Sequence, residues 1–274
     1  MSKITASDVN KLRKSTGAGI MDCKKALVEA NGDFDLAIEN LRKKGQKVAA
    51  KRADRDSSEG AVIAKVNDAN TTGIIISLNC ETDFVAKNES FVALANQIAT
   101  IALYVNTKDE LLSSDFEDMT VQEKLIEQTG VIGEKLEIGS FERISSEFVG
   151  SYIHAGNKIA TIVGLSNSFD GASEVAKNVS MQAAAMNPVA LDESGVSKDV
   201  IEKEIEIAKD QLRAEGKPEA MLDNIAKGKL KKFFKENTLV NQAFIKDNKL
   251  SVNDYVKSVN SECSITDFKR SALV

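Results

Sequence analysis

The sequence predicts an α+β fold, and three observations carry that expectation. Val- and Ile-rich runs at 61–66 and 73–79, and again at 148–154 and 158–165, are bounded by turn residues as strands are. Each pair is followed by a longer run that reads as a buried helix, at 91–104 and 172–186. Ile201, Ile205, Ala208 and Leu212, at spacings of 4, 3 and 4, form the seam of a helix that packs on another helix.

Residues 4–45 read as three short helices. Thr5 and Asp8 make a capping box for a helix carrying Val9, Leu12 and Arg13, and Gly17 stops it, since glycine readily takes the left-handed conformation. The second, at about 20–30, sets Ile20, Cys23 and Leu27 on one face and ends at Asn31-Gly32. The third begins after Asp33 and buries Leu36, Ala37, Ile38 and Leu41. So small a bundle encloses little core, and is expected to gain stability from its neighbours or a partner. Residues 48–60 are charged and lack apolar periodicity, so they read as a solvated linker with at most a helical start.

The strand pair 61–66 and 73–79 is joined by a turn at 68–72. The helix at 172–186 is built of small residues and closed by Asn187-Pro188. Gly73-Ile74-Ile75-Ile76 echoes Lys158-Ile159-Ala160-Thr161 about 80 to 85 residues later, a weak internal duplication in which each half is a small sheet backed by helices. Residues 121–138 read as a helix and then a strand. After the seam, Glu215-Gly216-Lys217-Pro218 stops one helix and starts the next, on which Leu222, Ala226, Leu230 and Phe233 return. The pair is an antiparallel hairpin of roughly 25 Å per arm. Residues 239–274, with Tyr255 and Phe268, are expected to rejoin the second sheet.

Composition narrows the chemistry. Hydrophobic residues make up 42%, and no apolar run approaches the roughly 18 residues of a membrane span. The start has neither secretory nor transit character, so a cytoplasmic location is expected. Cys23, Cys80 and Cys263 are scattered and His154 is the single histidine, which supports neither a disulfide framework nor a zinc site. Gly17-Ala18-Gly19 follows a helix and lacks a third glycine, and no phosphate loop ends in Gly-Lys-Ser or Gly-Lys-Thr. Any nucleotide chemistry therefore belongs to a partner, and no cofactor, metal or catalytic set is expected. The net charge of −5 does not suit a nucleic-acid binder. It is uneven: residues 1–55 hold 13 Lys/Arg against 7 Asp/Glu, a balance of +6, whereas the rest holds 23 against 34, or −11. A basic N-terminal module joined to an acidic body suits docking on an acidic protein surface, or simply solubility.

Asn79-Cys80-Glu81-Thr82-Asp83-Phe84-Val85 interrupts a clean strand with a polar cluster just before a helix. Taken alone it has a plain reading, in which Phe84 caps the core and Asp83 caps the helix. His154 by itself reads as a structural or surface residue, and Cys80 as a small packing residue. Lys227, Lys229, Lys231, Lys232 and Lys235 admit an alternative function, nucleic-acid binding. Only Phe233 and Phe234 interleave with them, which favours a solvated face whose lysine stems cover the seam.

Together these segments resemble one family. Leu12-Arg13-Lys14-Ser15-Thr16-Gly17-Ala18-Gly19-Ile20-Met21-Asp22-Cys23-Lys24-Lys25-Ala26-Leu27 resembles the N-terminal signature of elongation factor Ts, continued by Glu29-Ala30-Asn31-Gly32-Asp33 and Ala37-Ile38-Glu39-Asn40-Leu41-Arg42. Asn79 through Asn88 resembles its second signature, and Gly150-Ser151-Tyr152-Ile153-His154 a third region. The likeness runs in order over nearly the whole chain.

The resemblance implies a ubiquitin-associated-like module at 1–47, a linker at 48–60, related core subdomains at 61–146 and 147–274, and a protruding coiled-coil hairpin at about 197–236. It implies a guanine-nucleotide exchange factor and no enzyme: one that binds elongation factor Tu with GDP, displaces Mg2+ and promotes GDP release so that GTP can bind, without direct contact to nucleic acid or membrane. Thr82, Asp83, Phe84 and Val85 match the family's magnesium-displacing segment, with Asp83 and Phe84 inserting between helices of elongation factor Tu. Arg13, Ile20, Met21 and Lys24 match positions that grip its nucleotide-binding domain, and His154 matches a contact position in the second subdomain. There are departures. Ile20 stands where methionine is frequent and Ala243 where proline is usual, and no additional C-terminal helical module is expected after 274.

Overall fold

The computed structural model describes residues 4–273. Its N-terminal part is three helices: α1 (Ala6–Thr16), α2 (Ile20–Glu29) and α3 (Phe34–Arg52). The Thr5–Asp8 capping box forms at the start of α1, and Gly17 ends it at φ 69°. Leu12, Cys23, Leu27 and Ala37 are fully buried and make the centre of a small separate core. α3 continues to Arg52, well into the charged stretch that lacks apolar periodicity. Its second half is supported from outside, by helix packing at Gly45 and not by an apolar stripe of its own.

The remainder is organised by two antiparallel sheets. β1 (Glu59–Val66) and β2 (Thr72–Cys80) form a hairpin with Glu59 opposite Cys80. The chain then makes α4 (Asp83–Ala86), α5 (Glu89–Ala102), α6 (Lys108–Ser113), the two-residue strands β3 (Asp115–Phe116) and β4 (Met119–Thr120), and α7 (Val121–Ile132). β5 (Glu137–Ser145) completes a sheet of order β1-β2-β5. A second hairpin, β6 (Phe148–Ile153) and β7 (Ile159–Leu165), is followed by α8 (Ala172–Met186), the long helices α9 (Lys198–Ala214) and α10 (Glu219–Asn237), β8 (Ala243–Phe244), β9 (Asp247–Ser251) and α11 (Val252–Val259). β10 (Ile265–Ala272) returns to give the order β10-β7-β6. The architecture is α+β.

The strand period explains the apolar runs. On one face of the first sheet Val62, Ala64, Ile75 and Ile144 meet Val149, Ala160 and Ile162 of the second. On its other face Ile63, Ile74, Ile76 and Leu78 pack with Phe91, Leu94 and Ile98 of α5. β2 is thus covered on both sides, which is why it is Ile-rich without alternation. Burial of each such side chain contributes roughly 1.5–3 kcal/mol. At Gly73 the sheets approach too closely for a side chain: a Cβ there would stand 2.7 Å from Val149 Cγ1.

α9 and α10 lie antiparallel, with Ala208, Leu212, Leu222 and Ala226 buried between them. Arg213 to Glu219 at 2.8 Å and Lys209 to Asp223 at 2.5 Å tie the arms near their turn. At the root the Val189 N–H donates to the Asn237 carbonyl and the Leu239 N–H to that of Ala190.

Candidate docking surface

β2 ends at Cys80, which is buried. Two residues on, Thr82 is the N-cap of the single-turn helix α4, its Oγ1 accepting the Val85 N–H. Thr82, not Asp83, is therefore the cap. Asp83 occupies the first turn, where a negative charge is favoured by the exposed N–H groups, and it pairs with Lys87 at 2.6 Å. That hydrogen bond holds the Asp83 carboxyl below the usual range. The core is closed by Ala86, which is buried, and by Val85, which packs against the first core from the edge. Phe84 is 84% exposed, so its ring does not cap the core.

One helical turn has negligible stability of its own, and three residues outside the segment hold this one. The Glu134 carboxylate accepts the Glu81 N–H at 3.1 Å, the Thr82 N–H at 3.0 Å and the Thr82 hydroxyl at 2.6 Å. The Glu81 carboxylate accepts two hydrogen bonds from Arg52 Nη1, at 2.7 and 2.9 Å, and a third from the Lys135 N–H at 2.7 Å. Burial alone would raise the Glu81 pKa, but the Lys135 N–H and then Arg52 outweigh it and keep the carboxyl below its ordinary value. The Cys80 thiol donates to the Thr82 carbonyl at 3.2 Å. Burial, with the Glu134 charge adding to it, pushes that thiol up to about 12, so it remains protonated and unreactive at neutral pH.

The other sequence-derived positions stand on separate elements. In α2, Cys23, Ala26 and Leu27 turn inward, leaving Ile20, Lys24 and Met21, the last 73% exposed, outside. Arg13 is exposed near the end of α1. His154 is exposed in the turn after β6, its Nδ1 3.0 Å from the Tyr152 hydroxyl. Two links connect these elements to α4. Lys158 in the His154 turn pairs with Glu59, whose strand partner is Cys80. A Cβ on Gly17, between α1 and α2, would lie 3.9 Å from Val131, near the end of the helix that leads into Glu134. Among the described residues no hydrogen bond joins the α1–α2 positions, Thr82–Val85 and His154 directly.

On α10, Lys229 pairs with Glu215 at 3.8 Å and Lys232 with Glu236 at 3.7 Å, so carboxylates interrupt the basic stripe. Among the described residues no group of three or more His, Cys, Asp or Glu side chains is gathered as a metal would require, and no helix is long and apolar enough to cross a membrane.

Met21 and Phe84 thus stand exposed to solvent on separate elements. The family model described as elongation factor Ts matches residues 81–273. Elongation factor Ts of Christiangramia forsetii is 70% identical over 273 residues, covering all of both chains. That of Flavobacterium psychrophilum is 67% identical over 273 residues with the same coverage, and that of Porphyromonas gingivalis 44% over 273 residues, covering 98% of each. The chain belongs to the elongation factor Ts family. Its role is that of a nucleotide exchange factor in translation elongation, and the partner of its family is elongation factor Tu.

Sequence reasoning missed Arg52 and Glu134 as supports of the turn and gave no role to Glu81 within the segment it singled out. Arg52 lay in an apparent linker, and Glu134 shows itself only as a carboxylate following Gly133, the left-handed cap of α7.

Proposed function

We propose that this chain binds GDP-loaded elongation factor Tu in the cytoplasm, displaces the bound Mg2+ and thereby promotes GDP release, so that GTP can enter. Thr82, Asp83, Phe84 and Val85 are the displacing segment, with Asp83 and Phe84 inserted between helices of the partner. Arg13, Ile20, Met21 and Lys24, in a ubiquitin-associated-like module at 1–47, grip the nucleotide-binding domain, and His154 contacts the partner from the second of two related subdomains. The observation that carries this reading is the exposure of Phe84 on a braced helical turn.

The physics is coherent. Mg2+ neutralises the diphosphate, so shifting its ligands removes a dominant attraction. A buried aromatic anchor contributes ~2 kcal/mol or more to an interface, and each ~1.4 kcal/mol of coupling weakens nucleotide binding about tenfold. By linkage, nucleotide weakens the factor's hold equally, so incoming GTP releases it. The direction of exchange is set by the nucleotide ratio.

Fluorescent GDP release from purified elongation factor Tu tests this. Addition of the chain is expected to accelerate release, and the double variant Asp83→Ala, Phe84→Ala to abolish the acceleration. Full activity in that variant would defeat the mechanism.

A further inference from the structure

Behind the displayed turn lies a set of charged side chains that the proposed contacts do not use. Glu134 spans the turn from below with three hydrogen bonds, and Arg52 with Lys135 anchors the preceding Glu81. The Glu81 side chain is only 16% exposed, so its hydrogen bonds form largely out of water, where they are stronger. Both supports originate in one helix pair. Arg52 is the last residue of α3, and Glu134 follows the cap of α7 directly. α3 and α7 cross with their backbones in contact at Gly45 and Gly130.

From this juxtaposition we infer that Glu134 is a positioning residue, with Arg52 and Glu81 as its outer support: the three fix the angle at which Asp83 and Phe84 are presented and tie that angle to the N-terminal module. The inference rests on the reading of Thr82–Val85 as the displacing segment. Its chemistry is specific. A single carboxylate takes both backbone N–H groups on one oxygen and the hydroxyl on the other, so Glu134 fixes the backbone and the side chain of the α4 cap residue together. The Thr82 hydroxyl donates its proton to Glu134 and accepts the Val85 N–H, so its orientation is set from both sides. Loss of Glu134 frees the turn to sample other conformations, but leaves Arg13, Met21 and His154 where they are. The defect should therefore fall on the rate of nucleotide ejection and not on encounter.

The test measures fluorescent GDP release from elongation factor Tu over a range of full-length factor, giving a maximum rate and a half-saturating concentration. Amide hydrogen exchange at residues 81–86 of the free factor is followed in parallel. Glu134→Ala is expected to lower the maximum rate about tenfold or more, with the half-saturating concentration changed less than about threefold, and to speed exchange at the Glu81 and Thr82 amides about tenfold or more. Glu134→Gln keeps an oxygen for the two amides and should recover most of both quantities. Arg52→Ala removes only the outer support, should show the same defect in smaller degree, and serves if the alanine variant at 134 does not fold.

Wild-type maximum rate and wild-type amide exchange in Glu134→Ala, or a glutamine variant as impaired as the alanine one, overturn the inference. An inactive Asp83→Ala, Phe84→Ala control then leaves the exchange mechanism standing. Normal release by that control instead overturns the mechanism and this inference with it.

Discussion

Gly45 on α3 and Gly130 on α7 meet backbone to backbone: a Cβ on Gly130 would fall far inside van der Waals contact of the Gly45 Cα. This crossing docks the N-terminal helices on the first core, supplementing a bundle too small to be secure alone. Arg42 to Asp118 at 2.8 Å adds an exposed ion pair across the same junction, worth little by itself.

The crossing decides the sign of a substitution. Helix propensity alone favours Gly130→Ala by about 1 kcal/mol. Overpacking costs about 1–3 kcal/mol, and here the obstacle is backbone that no side-chain rotation relieves. The variant is expected to be less stable by ~1 kcal/mol in urea unfolding. A raised midpoint would mean that the helices part easily.

Phe84→Ala should separate stability from binding. With its ring 84% exposed, truncation is expected to change the urea midpoint by no more than the ~0.5 kcal/mol typical of surface changes. Calorimetric titration with elongation factor Tu should show affinity lower by ~2 kcal/mol, roughly 30-fold. Equal binding would remove Phe84 from the interface.

Glu81 predicts a pH dependence. Its folded pKa lies below the ordinary 4.5, so the carboxylate contributes stability that is fully present above about pH 4.5 and is lost as pH falls through the folded value. Arg52→Ala removes one cause of the depression. The stability difference between wild type and variant, on the order of 1 kcal/mol at pH 7, should shrink as acid protonates Glu81. A difference constant down to pH 3 would show that the pair is not coupled to that titration.

Ser180 lies fully buried in α8, and its hydroxyl has no hydrogen-bond partner among the described residues. Ser180→Ala removes an unpaired polar group and improves helix propensity. Stability should rise by about 1 kcal/mol, read as a higher urea midpoint. A fall would point to a hydration site at that hydroxyl.

Much of this architecture is written in local pattern. Residues 172–186 form α8 with the bounds their small-residue run suggests, and the hairpin arms follow the Ile201-to-Leu212 spacing. The Thr5 box and Gly17 stop act where they stand because a cap is satisfied within three residues. What escaped depends on distant partners. α3 outlasts its apolar pattern because α7 supports it. Thr82, not Asp83, takes the cap position, and its hydroxyl is held by Glu134, 52 residues away. The little strands β3, β4, β8 and β9 carry too few residues to show a period. The proposed docking positions Arg13, Ile20, Met21, Lys24 and His154 rest on family resemblance alone, since an exposed side chain leaves no imprint of packing on its neighbours.

The helical protrusion leaves and rejoins the body at one place, where Ala190 and Thr238 form a parallel bridge. Nothing in either sheet therefore registers how far the arms extend. Matched turns added to or removed from both arms beyond Ile201 and Leu230 would alter reach while the strands keep their register.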